Sequence, residues 1–218
     1  MSLISYISAV QIPNLTTSQI RDLSSSDIKL LNTSQIAALS SSQISAIESR
    51  DLVVLTSGQI SAFDPTKFSD GILVYGNKTS LLSQTQVQGL STAQLAKFTT
   101  AHLEFFDTLD IQKLSTGQLN SLQTSFIAGM SSSQVQALTT GQLVGLNTTQ
   151  FKSLSDNNLK ALTSLQIKVL TTDQLNSLSS SQVAVIETGD ISALTTSQLS
   201  KLSTDQLVAL TTVSLFTI

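Results

Sequence analysis

One eight-residue phrase recurs along nearly the whole chain: TTSQIRDL from Thr16, NTSQIAAL from Asn32, TTSQLSKL from Thr195, STDQLVAL from Ser203. Its general form is [ST]-[ST]-x-Q-[LIV]-x-x-L. So short a period constrains the fold strongly, because whatever one octad does locally its neighbours must also do. Octads lie end to end over 8–63 and over 83–218, seven in the first block and seventeen in the second. Position 5 is apolar in all of them, from Ile12 to Leu215, and so is position 8, from Leu15 to Ile218. Position 4 is Gln in sixteen octads, Asp at Asp27, Asp51, Asp110 and Asp190, and otherwise His102, Phe126, Asn158 or Ser214.

These preferences predict a local structure. Ser or Thr followed three residues later by Gln is a capping box: the hydroxyl accepts the backbone N–H of the Gln, whose side chain returns to the N–H of the cap. Thr16 with Gln19, Ser40 with Gln43, Thr195 with Gln198 and Ser203 with Gln206 are such pairs. Position 8 of one octad and position 5 of the next fall at N′ and N4, the two ends of a hydrophobic staple. Each octad therefore reads as a helix of about two turns with its own start signal.

One long helix does not fit, because at about 100° per residue the apolar stripe would drift by about 80° in each octad. A strand does not fit either, since positions 5 and 8 have opposite parity and would face opposite sides. Helices this short are marginal alone in water, so each must bury its apolar pair against other octads. The predicted fold class is all-α, a solenoid of very short helices with positions 5 and 8 inward and 2, 3 and 6 outward. Ile20, Leu23, Ile36, Leu39, Leu199, Leu202, Leu207 and Leu210 are core positions on this reading. Position 7 is often Ala or Gly, as at Ala38, Gly89 and Gly145, which implies close helix approach there.

Residues 64–82, DPTKFSDGILVYGNKTSLL, break the pattern. The expected organisation is an N-terminal array over 1–63, an irregular insertion over 64–82 and a C-terminal array over 83–218, together one continuous solenoid. Asp64-Pro65 can start a helix, Pro being tolerated in the first turn. Asp70-Gly71 and Gly76-Asn77 are turn dipeptides around the apolar run Ile72 to Tyr75. The expectation is a loop or short hairpin bulging from the array.

Little chemistry is available. Charged residues make up 11% of the chain and the net charge is −3, which argues against nucleic acid as a partner. There is no cysteine, so no disulfide and no thiolate ligand. No apolar run reaches the roughly 18 residues of a membrane span. His102 stands where Gln normally caps and reads as a capping residue. The acids are scattered, several in first helical turns where carboxylates meet the helix dipole favourably. No catalytic, cofactor-binding or metal-ligating set is expected, and neither is an enzyme. Lys152, Lys160 and Lys168 share position 6 in consecutive octads, and Asn77-Lys78-Thr79 has the letters of a glycosylation sequon.

The TTxQLxxL octads resemble the repeat tracts of very large bacterial surface or secreted proteins, often labelled as adhesins or haem-utilisation proteins. TTSQLSKL (Thr195–Leu202) and STDQLVAL (Ser203–Leu210) carry the likeness. The resemblance implies a stalk or spacer at the cell surface or outside the cell, reached without a recognisable N-terminal signal peptide; a cytoplasmic location stays open. No haem-ligand set or calcium-binding nonapeptide accompanies the octads. The functional expectation is a structural repeat protein, a rigid spacer or a subunit stacking head-to-tail through apolar ends. Leu3, Ile4, Ile7, Leu215, Phe216 and Ile218 are the candidates for self-association. The partners would be further copies of the chain or further repeats; the alternative is a module that binds a surface protein or glycan through the solenoid surface or the 64–82 loop.

Overall fold

The computed structural model describes residues 3–68, 82–186 and 188–215. Among them every regular element is helical, and nearly all are a single short helix per octad, such as Thr33–Ala38, Ser41–Ala46, Thr140–Gly145 and Ser164–Val169. What stops each helix is the pair of residues at positions 8 and 1. Leu31 (φ −59°, ψ 128°) and Asn32 (φ −82°, ψ 167°) are both extended, and so are Leu138 (φ −57°, ψ 128°) and Thr139 (φ −64°, ψ 157°). Two extended residues redirect the chain, and the capping box at position 1 starts the next helix.

The chain divides into two compact units, Met1–Leu114 and Ser115–Ile218. In the first, Thr17–Arg21 packs on Ser41–Ala46, Ser25–Leu30 on Ser49–Leu52, and Thr33–Ala38 on Ser57–Ser61. In the second, Thr116–Ser121 packs on Thr140–Gly145, Thr124–Gly129 on Thr148–Lys152, and Thr140–Gly145 on Ser164–Val169. Within each unit a helix thus meets the one three octads on. Hydrogen bonds described below reach four octads back. Between three and four octads therefore complete one turn of each coil.

The three-octad contact explains the small residue at position 7. A Cβ on Gly89 would come within 2.5 Å of the Ser57 Cβ and 2.7 Å of the Ser57 carbonyl oxygen. A Cβ on Gly145 would come within 2.7 Å of the Thr116 methyl. Ser57 and Thr116 both hold position 2, so that position is not simply outward-facing: it is where position 7 of a later octad lands. Lys152, Lys160 and Lys168 are all exposed, but consecutive octads lie on successive sides of the coil, so they do not form one row.

The core is the apolar pair of every octad. Ile36, Leu39, Ile44, Ile127, Leu143 and Ile167 are each 0% exposed. At about 25 cal/mol per Å² of apolar surface, each such side chain contributes roughly 2 kcal/mol relative to exposure.

Three details qualify these expectations. The segment from residue 64 opens with the helix that Asp64-Pro65 allows: Pro65–Phe68 packs on Ser41–Ala46 and Thr92–Leu95. The Asp64 carboxylate accepts from the Thr66 N–H at 2.9 Å and pairs with Lys67 at 3.3 Å. Asp70-Gly71, Ile72 to Tyr75, Gly76-Asn77 and the Asn77-Lys78-Thr79 sequon lie outside the described residues. Second, the break due at Thr211 is bridged. TTVS lacks the Gln of a capping box, and Thr204–Leu215 runs on as one twelve-residue helix. Third, Leu207, a core position by pattern, is 39% exposed. No described octad stands three or four steps beyond it to cover it.

Candidate functional site

The side chain that ties the coil together is the position-4 glutamine, and it works at both ends of its amide. In octad 40–47 the Gln43 Oε1 accepts from the Ser40 N–H at 2.9 Å, and the Gln43 N–H donates to Ser40 Oγ at 3.3 Å. That is the capping box. The Gln43 Nε2 donates to the Ile12 carbonyl at 2.8 Å and the Leu15 carbonyl at 2.7 Å. Those are positions 5 and 8 of the octad four back, 31 and 28 residues earlier. Gln35 reaches Ile4 and Ile7 in the same way. In the second unit Gln150, Gln166, Gln174, Gln198 and Gln206 repeat the step, for example Gln174 to Leu143 at 2.8 Å and Leu146 at 3.0 Å. The position-5 carbonyl also accepts from the position-8 N–H of its own octad, as Ile12 does from Leu15 at 3.1 Å; the position-8 carbonyl lies past the helix end, and a side chain from the next turn of the coil supplies its donor.

The capping motif alone does not reveal this second bond. A signal for it was present in the residue choice. Glu caps as well as Gln in such a box, yet position 4 is never Glu. A carboxylate has no donor for the carbonyls four octads back, and a buried charge facing them would be costly. The exceptions obey the same logic. Asn158 is shorter; its Nδ2 reaches the Met130 carbonyl at 2.9 Å, and the capping box is not closed. Asp51 cannot donate and instead accepts from Ser25 Oγ at 2.6 Å, position 2 of the octad three back. Asp190 accepts from Ser164, 26 residues back, as Asp51 does from Ser25.

Across the insertion the register is kept in space although it is lost in sequence. Gln86 donates to Leu52 and Leu55, and Gln94 to Ile60 and Phe63, over 34 and 31 residues. Each separation is three longer than elsewhere. Counted by these steps along the sequence, the nineteen residues 64–82 amount to two octads plus three residues. Octads 99–106 and 107–114 stand four places after those two, and they carry His102 and Asp110 in place of Gln. The departures at position 4 therefore coincide with the departure of the octads they would address.

His102 lies in the 3-10 helix Thr100–Phe105 and is 3% exposed. Its Nδ1 accepts from the Thr99 N–H at 3.0 Å, as a Gln Oε1 would. The ring stacks on Phe98 with centroids 4.8 Å apart, and Phe98 meets Phe106 edge-on at 5.7 Å. Asp110 is 7% exposed, and its Oδ2 accepts from the Asp107 N–H at 3.2 Å while its own N–H donates to Asp107 Oδ1 at 2.8 Å. Burial, with the Asp107 charge adding to it, pushes the Asp110 carboxyl up to about 6.

The residues singled out by pattern fall as follows. Thr16 and Gln19, Ser40 and Gln43, Thr195 and Gln198, and Ser203 and Gln206 each exchange both capping bonds. Ile20, Ile36, Leu39, Leu202 and Leu210 are buried, while Leu23 and Leu199 are half-buried. Ile4, named for self-association, is 2% exposed and its carbonyl takes the Gln35 amide, so it belongs to the interior. Ile7 is half-buried. Leu3 lies in the 3-10 helix Leu3–Tyr6 and Leu215 ends the last helix. Phe216 and Ile218 lie outside the described residues.

Among the described residues there is no group of His, Cys, Asp or Glu that could hold a metal ion, and no helix long and apolar enough to cross a membrane. A groove of about 410 Å³ in the second unit is lined by Asn176, Leu178, Ser180, Lys201, Ser203, Asp205 and Gln206. Ser203 and Gln206 are already engaged with each other, and the groove gathers no catalytic set.

A family model described as the ALTTAQ repeat matches residues 7–41, 105–140, 138–172 and 183–214, together well over half of the chain. Each match is about four octads long, the reach of one glutamine step. No curated protein matches the chain.

Proposed function

The chain belongs to the ALTTAQ repeat family, and on that premise we propose that it is a non-enzymatic structural protein, a stackable spacer whose length is set by the number of octads. The observation that carries the reading is the glutamine ladder. Each glutamine step described above joins its octad to the octad four back by two or three bonds to the same set of carbonyls, so these octads are equivalent and none is set apart to house a reaction. The single histidine is spent on a cap. The resemblance of TTSQLSKL and STDQLVAL to repeat tracts of bacterial surface proteins supports a role at or outside the cell surface, where spacers are used.

The reading has a direct test. Removing one whole octad, 139–146, moves the glutamines whose steps span it, such as Gln166 and Gln174, onto the carbonyls one octad earlier and leaves later steps, such as those of Gln198 and Gln206, as they are. The shortened chain is expected to keep its helical circular dichroism per residue and its cooperative unfolding. Removing only 139–142 puts positions 5 and 8 of everything downstream out of phase and is expected to abolish ordered packing of the second unit. Equal damage from both deletions would overturn the spacer reading, because it would mean that particular octads, not the period, matter.

A further inference from the structure

The cap at position 1 uses a single side-chain oxygen, which accepts the N–H of position 4; Ser, Thr, Asn and Asp all supply it. Asn32 and Asn147 supply it from an amide. Asn32 Oδ1 accepts from the Gln35 N–H at 2.9 Å, and Asn147 Oδ1 from the Gln150 N–H at 2.9 Å. Each therefore carries a nitrogen that the cap does not use. Asn147 Nδ2 donates one N–H to Gln150 Oε1 at 2.9 Å and has a second. Both backbones are extended, φ −82° and ψ 167° at Asn32, φ −68° and ψ 161° at Asn147. Both residues are exposed, and so are Thr33-Ser34 and Thr148-Thr149 after them. Asn32-Thr33-Ser34 and Asn147-Thr148-Thr149 each place a hydroxyl two residues beyond the amide, the spacing at which a sugar is joined to an Asn nitrogen. The fold does not ask for that hydroxyl, because position 3 is Ala93, Leu109, Gly117 or Asp173 in other octads. Ser34 and Thr149 also stand outside the capping box, which joins positions 1 and 4. Asn14-Leu15-Thr16 has the same letters and a different geometry. Its hydroxyl is itself a cap: Thr16 Oγ1 donates to Gln19 Oε1 and accepts the Gln19 N–H, both at 3.2 Å, and Leu15 is half-buried.

We propose that Asn32 and Asn147 are acceptor sites for an N-linked saccharide, one in each compact unit. A transferase supplies the sugar as its diphosphate ester. Nδ2 bonds to the anomeric carbon and gives up one proton to the transferase. The bond from that carbon to the diphosphate oxygen breaks, and the diphosphate leaves with the electron pair. The product is a secondary amide that keeps Oδ1 and one N–H. Oδ1 therefore still caps the helix, and at Asn147 an N–H remains for Gln150 Oε1. The sugar attaches on exposed chain, away from the buried pairs Ile36 and Leu39, and Phe151 and Leu154. The inference goes beyond the spacer reading and does not rest on it.

The test is glycopeptide mass spectrometry on the full chain purified from the cells that make it. Sugar mass is expected on the peptides that hold Asn32 and Asn147. Asn14 is expected to stay bare, as are Asn120 and Asn176, which are exposed but have Leu two places on. Ser34→Ala and Thr149→Ala leave each cap in place and are each expected to abolish the sugar at their own Asn alone. Asn32→Ser keeps a capping oxygen and removes the nitrogen, so it separates loss of the acceptor from loss of the fold. Enzymatic release of the sugar leaves Asp, which also caps, so helical circular dichroism is expected to be unchanged by it. A single monosaccharide at each site marks a nucleotide-linked donor and a preassembled block a lipid-linked one; either supports the proposal. Bare Asn32 and Asn147 would overturn it, and so would sugar that survives Ser34→Ala and Thr149→Ala, or equal occupancy at Asn14, Asn120 and Asn176. None of these outcomes bears on the octad deletion above, so the two ideas fall separately.

Discussion

At the scale of single residues the array depends on one side chain having both an acceptor and a donor at the right reach. Gln174 is 1% exposed and holds the Leu143 and Leu146 carbonyls through Nε2. Gln174→Ala removes the side-chain donor from both carbonyls, of which Leu143's still accepts from the Leu146 N–H at 3.2 Å, and is expected to cost about 2 kcal/mol in the denaturant midpoint. Gln174→Glu keeps the cap but sets a buried carboxylate against two carbonyl oxygens; it is expected to cost more, about 3 kcal/mol, with recovery in acid as the carboxyl takes up a proton. A Glu variant as stable as wild type at neutral pH would show that the ladder bonds contribute nothing. Asp110 makes the complementary case. Its carboxyl is pushed from an ordinary 3.8 up to about 6 by burial. A folded value above the unfolded one means that the stabilisation it brings is full below about pH 4 and is lost as pH rises through about 6. Asp110→Asn is therefore expected to raise stability at neutral pH by about 1 kcal/mol and to flatten the profile between pH 4 and 7. Denaturant midpoints measured at both pH values decide it: an unchanged profile would mean the carboxyl is ionised in the fold as freely as in the unfolded chain.

At the scale of the element, the short helix was legible in the sequence because its signals are local. Thr16 and Gln19 announce a start, and Leu31 with Asn32 marks a stop. What the octad text does not contain is distance along the chain. Nothing within SSSQISAI says that Gln43 also speaks to Ile12, and only the avoidance of Glu at position 4 hints at it. The pitch of the coil, set by position 7 meeting position 2 three octads back, was likewise hidden, although the small residues were visible. Gly89 and Gly141 separate the two roles of glycine in such a helix. Nothing lies within 4 Å of a Cβ on Gly141, so Gly141→Ala is expected to stabilise by roughly 0.5–1 kcal/mol through helix propensity alone. Gly89→Ala drives a methyl onto the Ser57 backbone and is expected to destabilise by roughly 1–3 kcal/mol, since the obstacle is main chain and cannot rotate away. Thermal melts of the two variants should move in opposite directions; a shared direction would mean that the three-octad approach is looser than its geometry.

At the scale of each compact unit, an inner octad is held by octads three and four places away, so stability is a sum of local terms and interface terms. An octad with neighbours on one side only has lost part of that sum. Octad 203–210 keeps its backward bonds, Gln206 to Leu175 at 3.0 Å and Leu178 at 2.8 Å, but its Leu207 is 39% exposed. Octad 139–146 has both sides, with Leu143 at 0% and its carbonyl taken by Gln174. Amide exchange under native conditions is therefore expected to be graded: slowest around 139–170, faster through 195–210, with the difference set by missing forward contacts and not by helix length, since Thr204–Leu215 is the longest described helix. If that helix were the best protected, intrinsic helicity would dominate and the ladder would be secondary.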